Sequence, residues 1–185
     1  MNYDNTIFEE NNSFLRMNKR PRLLNILLLL SSIYILSTLT AVTQKLIDGP
    51  MTQIQLEEQM NKIYGTTAIM LAEGEGYEYV KYTEQIVENS IYINNEIFYL
   101  SNISLAATLV IGLISVYLMF FGFKIGLIFY LIYSILPIVT MYLTTPASLI
   151  LDTSVLILAF WSAILMLLYT IGFNKLDALK TANSY

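Results

Sequence analysis

The chain has 185 residues, of which 56% are hydrophobic and only 13% charged, with a mean hydropathy of +0.58. That charge is about half of the ~25% usual in soluble domains, too little to cover a soluble exterior, so the composition is that of a membrane protein. There is no cysteine and no histidine, which excludes disulfides, thiolate metal sites and thiol catalysis, and removes both the commonest metal ligand and the one side chain that titrates near neutrality unperturbed.

An enzyme would have to work with carboxylates, lysine or tyrosine alone. A non-enzymatic protein without cofactor or metal is therefore expected. The net charge of −4 and the lack of a long basic stripe speak against a nucleic-acid partner.

Residues 1–22 read as a cytoplasmic N-terminal segment. Its first part, "MNYDNTIFEENNSFL", is polar but holds two apolar pairs, Ile7 with Phe8 and Phe14 with Leu15. These pairs are expected to dock on the membrane surface or on a partner. "NKRPR" follows at 18–22. Lys19, Arg20 and Arg22 there set membrane topology and attract anionic lipid headgroups, at about 1 kcal/mol per residue.

The first transmembrane helix is expected over 23–47. Its apolar run exceeds the 7–15 residues of a signal-peptide core, so it reads as a retained anchor. Ser37, Thr40 and Gln44 share one face of its outer half. "DGP" at 48–50 then breaks the helix.

Residues 48–96 form the sizeable extramembrane part, expected to be a periplasmic helical hairpin. Leu56, Met60, Ile63 and Tyr64 make one apolar face. "GEG" at 74–76 interrupts, and Val80, Thr83, Val87 and Ile91 align on a second helix. The loop is acidic, with nine carboxylates against Lys45, Lys62 and Lys81. "EGEGYE" at 73–78 gathers three of the nine. Their spacing matches no calcium loop, so a solvated helix face is the expected reading.

The second span is expected over 97–121. Ser104, Thr108 and Gly112 recur every four residues on it, a small-residue stripe that lets another helix backbone approach. "FGFK" makes a tight cytoplasmic turn, with Gly122 supplying conformational freedom. The third span is expected over 124–143, "KIGLIFYLIYSILPIVTMYL". Tyr130, Tyr133 and Pro137 occupy its middle, although tyrosine in membrane helices usually sits at the ends.

The fourth span is expected over 152–173, with Asp152 as its cap and Trp161 near its centre, and 174–185 as a cytoplasmic tail. Antiparallel neighbours place Tyr133 and Trp161 at similar depth. Two readings follow for Tyr130, Tyr133, Pro137 and Trp161. They form a packing core between helices, or they line a small hydrophobic pocket at the proline kink. No charge lies in any span core, which argues against an ion pathway or proton relay.

Arg16, Lys19, Arg20, Arg22, Lys124, Lys175 and Lys180 fall on one side of the membrane, and three lysines on the other. Both termini are therefore expected in the cytoplasm.

Several of these stretches are similar to a family of small, uncharacterised four-span proteins of the Bacteroidota. "KRPRLLNILLLLSSIYIL" resembles that family's charged "RP" before an oily first helix. An acidic helical loop follows in both. "FFGFKIGLIFYLIYSILPIV" matches its lysine-containing turn between the second and third helices, and "LLYTIGFNKL" its closing motif. The resemblance covers most of the chain and carries no active-site residues. It implies a bacterial inner membrane with the loop in the periplasm.

The expected fold is thus all-α: a four-helix transmembrane bundle with a helical extracytoplasmic loop. The expected function is a non-enzymatic accessory or structural subunit of a larger inner-membrane assembly, in contact with lipid and with other subunits or itself. The alternative is a small transporter, channel or lipid-binding homo-oligomer.

Overall fold

The computed structural model describes residues 21–72 and 77–182, with side chains over 21–65 and 79–176. The described secondary structure is all helical. It comprises α1 (Arg22–Asp48), α2 (Gln53–Ala72), α3 (Tyr77–Asn95), α4 (Phe98–Phe120), α5 (Ile125–Thr144), a short 3-10 turn (Ala147–Leu149) and α6 (Asp152–Ala182). Four of these, α1, α4, α5 and α6, are long and apolar enough to cross a bilayer. They form a four-helix bundle in which α1 packs on α4 and α6, and α5 packs on α4 and α6.

The helix boundaries have local causes. Pro21 precedes α1 with φ of −56°, a ring that fixes a helix-ready angle and lacks the N–H that would be orphaned there. Gly49 ends α1 at φ +77°, its N–H bonding the Lys45 carbonyl at 2.9 Å. A left-handed residue closes a helix this way, and glycine adopts it without a Cβ penalty.

The turn between α4 and α5 is a two-bond C-cap. Gly122 at φ +78° donates to Met119, and Phe123 donates to Leu118, each at 3.0 Å. That motif satisfies the last carbonyls of α4 and reverses the chain within a few residues.

The extramembrane part is a helical hairpin. Thr52 and Gln55 form a reciprocal cap, with the Thr52 N–H donating to Gln55 Oε1 at 2.9 Å. This T-x-x-Q signal starts α2. Leu56, Met60 and Val87 are its buried contacts, with Ile63 packed beside them. Thr83 is also buried, whereas Tyr64 and Ile91 lie at the exposed margin. Both depart from the sequence expectation, Tyr64 the more plainly. Tyr64 follows Ile63 directly, and one residue turns a helix by about 100°, off the packed face.

On the outer surface Lys62 hydrogen-bonds Glu58 at 2.9 Å. That bond and the ammonium charge hold the Glu58 carboxyl below its ordinary value.

Polar bonds fix the hairpin to the bundle. Asn94 accepts from the Met51 N–H at 2.8 Å and donates to the Met51 carbonyl at 3.1 Å. Gln85 donates to the carbonyls of Ser148 and Ile150, both at 3.0 Å. The Tyr92 hydroxyl donates to the Thr144 carbonyl at 3.2 Å. So α3 is bolted to the loop between α5 and α6, and the hairpin is part of one body with the spans.

One expectation at α6 is revised. Leu151 accepts the first amide bonds, from Ser154 and Val155, so Asp152 is the first helical residue and not the cap. Its carboxylate still suits the positive end of the helix dipole. The helix also runs on to Ala182, through the segment expected as a tail. Hydropathy marks where the chain leaves lipid, not where its helix stops.

Candidate functional site

The centre of the bundle is aromatic. Tyr130 on α5 and Tyr169 on α6 are almost fully buried, with ring centroids 4.7 Å apart at 58°. Tyr133 lies 5.6 Å from Tyr130, also tilted by 58°. Tilted geometries of this kind are favourable for ring quadrupoles. The Tyr169 hydroxyl donates to the Leu27 carbonyl at 3.0 Å and hydrogen-bonds the Ser31 hydroxyl at 2.7 Å. Both partners belong to α1. A tyrosine deep in a membrane protein needs such a partner, because lipid supplies none.

Tyr133 closes the other side of the core. A Cβ added at Gly112 would stand 2.8 Å from the Tyr133 ring and 3.1 Å from Ile35. The absence of a side chain there lets α1, α4 and α5 meet. Thr108, one turn before, is buried and donates to the Ser104 carbonyl at 2.8 Å. Ser104 is half-buried. The small-residue stripe thus points into the bundle, most deeply at Thr108 and Gly112.

A closer approach lies nearer the turn, and sequence reasoning missed it. Ser115 on α4 is fully buried and donates to the Gly126 carbonyl of α5 at 3.0 Å. A Cβ at Gly126 would stand 2.6 Å from Met119 Cγ and 2.8 Å from the Met119 backbone nitrogen. The two backbones touch at this point. The available signal was Ser115, one turn beyond Gly112 on the same face, opposite the first glycine after the turn.

Trp161 does not belong to the centre. It is 58% exposed, and its recorded ring neighbour is Phe160. The α6 ring that meets the α5 tyrosines is Tyr169, not Trp161. Tyr169 lies eight residues further on, a rotation of about 80° around the helix axis, and it is Tyr169 that turns inward. Pro137 sits half-buried inside α5, and the helix continues through it to Thr144. Of the four residues expected together, Tyr130 and Tyr133 share the core and Trp161 leaves it.

The remaining sequence candidates divide by position. Arg22 opens α1 and is exposed. Lys19, Arg20 and the N-terminal apolar pairs lie outside the described residues, as do the side chains of the 73–78 acidic stretch. Ser37, Thr40 and Gln44 face outward. The hydroxyls of Ser37 and Thr40 donate to their own helix, at Tyr34 and Leu36, both at 2.9 Å. Such back-bonding lets a polar residue face lipid without an unsatisfied proton.

Comparisons with protein-family models, with curated proteins and with solved structures give no match.

Proposed function

We propose that this protein is a non-enzymatic accessory or structural subunit of a larger assembly in a bacterial inner membrane, with both termini in the cytoplasm and the acidic hairpin in the periplasm. The observation that carries the reading is the filled centre. Tyr130, Tyr133 and Tyr169 pack ring against ring between the spans, where a transporter or channel built from one chain would need a path. No Asp, Glu, Lys, Arg or His lies in the core of any span, the residue types that normally carry a proton or ion path through a membrane.

The outer surface supports the same reading. The hairpin is held to the spans by Gln85 and Tyr92. It presents Glu57, Glu58, Glu84, Glu88 and Glu96 to solvent, an acidic surface of fixed orientation suited to a basic partner. Location and orientation rest on the Lys and Arg distribution and on the family resemblance.

Purification of the full chain from its native membrane in mild detergent tests the proposal. Stoichiometric co-elution of other polypeptides is expected, and a homo-oligomer alone would overturn it. Reporter fusions after Lys124 and Lys175 should read as cytoplasmic. A periplasmic reading at Lys175 would remove the four-span orientation.

A further inference from the structure

A groove of about 1020 Å³ runs along the outside of the bundle between α1 and α4. Leu29, Ser32 and Leu36 form one wall, Ile114 and Tyr117 the other, and Asn25 stands at one end. From Asn25 to Leu36 is eleven residues, about 16 Å along a helix. That is about half of the ~30 Å hydrocarbon core, so the groove is one leaflet deep. Its single mid-wall hydroxyl, Ser32, is tied to the Leu28 carbonyl at 2.7 Å. Below its mouth the groove is therefore apolar in effect.

The mouth is polar and positive. Asn25 lines the end of the groove, and Arg22, exposed one turn earlier on α1, lies just beyond it. The N-terminus of α1 has no side-chain cap and no acidic residue in its first turn, so its first amides and the positive end of the helix dipole favour an anion. Lys19 and Arg20 precede Arg22 in the sequence, in a chain whose net charge is −4. Arg22 and the N-terminus of α1 thus put positive charge next to the end of an apolar slot. Tyr117 lines the opposite wall.

We propose that this groove binds an anionic phospholipid of the leaflet on the Arg22 side, with an acyl chain along Leu29, Leu36 and Ile114 and its phosphate at the N-terminal end of α1. The depth favours lipid over a partner helix. A transmembrane helix runs the full thickness of the bilayer, whereas the groove is about 16 Å long, about half of it. The charge favours an anionic headgroup over a zwitterionic one. The site is independent of whether the protein joins a larger assembly.

Native mass spectrometry of the full-length protein, loaded with phosphatidylglycerol or phosphatidylcholine of identical chains, tests the site. One retained phosphatidylglycerol per chain is expected, severalfold above phosphatidylcholine. Arg22→Gln should reduce phosphatidylglycerol retention about fivefold, the worth of one basic residue near a charged headgroup, and leave phosphatidylcholine unchanged. Ser32→Trp and Leu36→Trp should fill the groove and abolish retention of both lipids at unchanged melting temperature. Leu36 is an exposed position, so that variant carries the test if Ser32→Trp fails to fold. Equal retention of the two lipids would overturn the proposal, as would full retention by the tryptophan variants. Conversion of an oligomer to monomers by Leu36→Trp would assign the groove to a protein helix and overturn it too.

Discussion

Helices α4 and α6 have the same mean hydropathy over their most apolar stretches, yet 33% of that stretch is buried in α4 and 11% in α6. The difference lies in side-chain size. On α4, Thr108, Gly112 and Ser115 let two neighbouring backbones come close, and the helix is held along much of its length. Among the described side chains of α6 the buried residues are Tyr169, Gly172, Phe173 and Leu176, all in its second half. The first half shows Leu156, Phe160 and Trp161 to the outside. In a membrane, apolar character alone does not drive helices together, because lipid tails are as apolar as leucine. Close packing and buried hydrogen bonds do, and α4 has more of the first.

The sharpest way to break this contrast is at the α4–α5 contact. Gly126→Ala should destabilise most, by about 3 kcal/mol, the upper part of the usual range for overpacking. The new Cβ meets the Met119 backbone nitrogen at 2.8 Å, and backbone cannot step aside. Gly112→Ala should cost less, about 1–2 kcal/mol, because the obstacle is the Tyr133 ring, which can shift. Melting temperatures in a mild detergent would rank the two. The reverse order would mean that Tyr133, and not the backbone contact, sets the helix separation.

The sequence made the spans legible because lipid imposes length and chain breaks impose ends. The third span was expected over 124–143, and α5 runs from Ile125 to Thr144. Gly49, Gly122 and Pro146 mark reversals that hydropathy alone would only blur. Which way each helix faces was less legible. In a soluble helix, charged residues label the outer face. In these spans both faces are apolar, so Trp161 and Tyr169 look alike until a neighbour is known. Small residues are the better guide. Gly112 pointed correctly to a close approach, and Ser115 with Gly126 was the same signal left unread. The hairpin, bathed in water, was read from ordinary amphipathic spacing at Leu56, Met60, Thr83 and Val87, with Tyr64 misplaced at its margin.

A milder variant probes the anchor of α6. Tyr169→Phe keeps the ring against Tyr130 and removes the hydroxyl that reaches Leu27 and Ser31. Interhelical hydrogen bonds in membranes are worth about 0.6 kcal/mol on average and up to about 1.7. A loss of about 1 kcal/mol is expected, below either glycine variant. Combining it with Ser31→Ala should add little, since both remove one shared interaction. Fully additive losses in that double-mutant cycle would show that the hydroxyl pair does not join α6 to α1.

The smallest expected effect is also the most informative about the outside of α6. Trp161→Ala removes a large ring from a surface that is 58% exposed. In the isolated protein that ring has detergent or lipid on its outer side, and surface substitutions usually stay within about 0.5 kcal/mol. Melting temperature should therefore hardly move. A clear drop would mean that the first half of α6 is packed into the bundle after all, and the contrast with α4 would fall. The same variant behaves differently if that half is where another subunit docks. A tryptophan at the centre of an interface is worth about 2 kcal/mol or more, about thirtyfold in affinity. Recovery of co-purifying polypeptides should then collapse while the isolated chain stays as stable as before. Unchanged recovery would leave α6 facing lipid and would move the search for a docking surface to the acidic outer face of the hairpin.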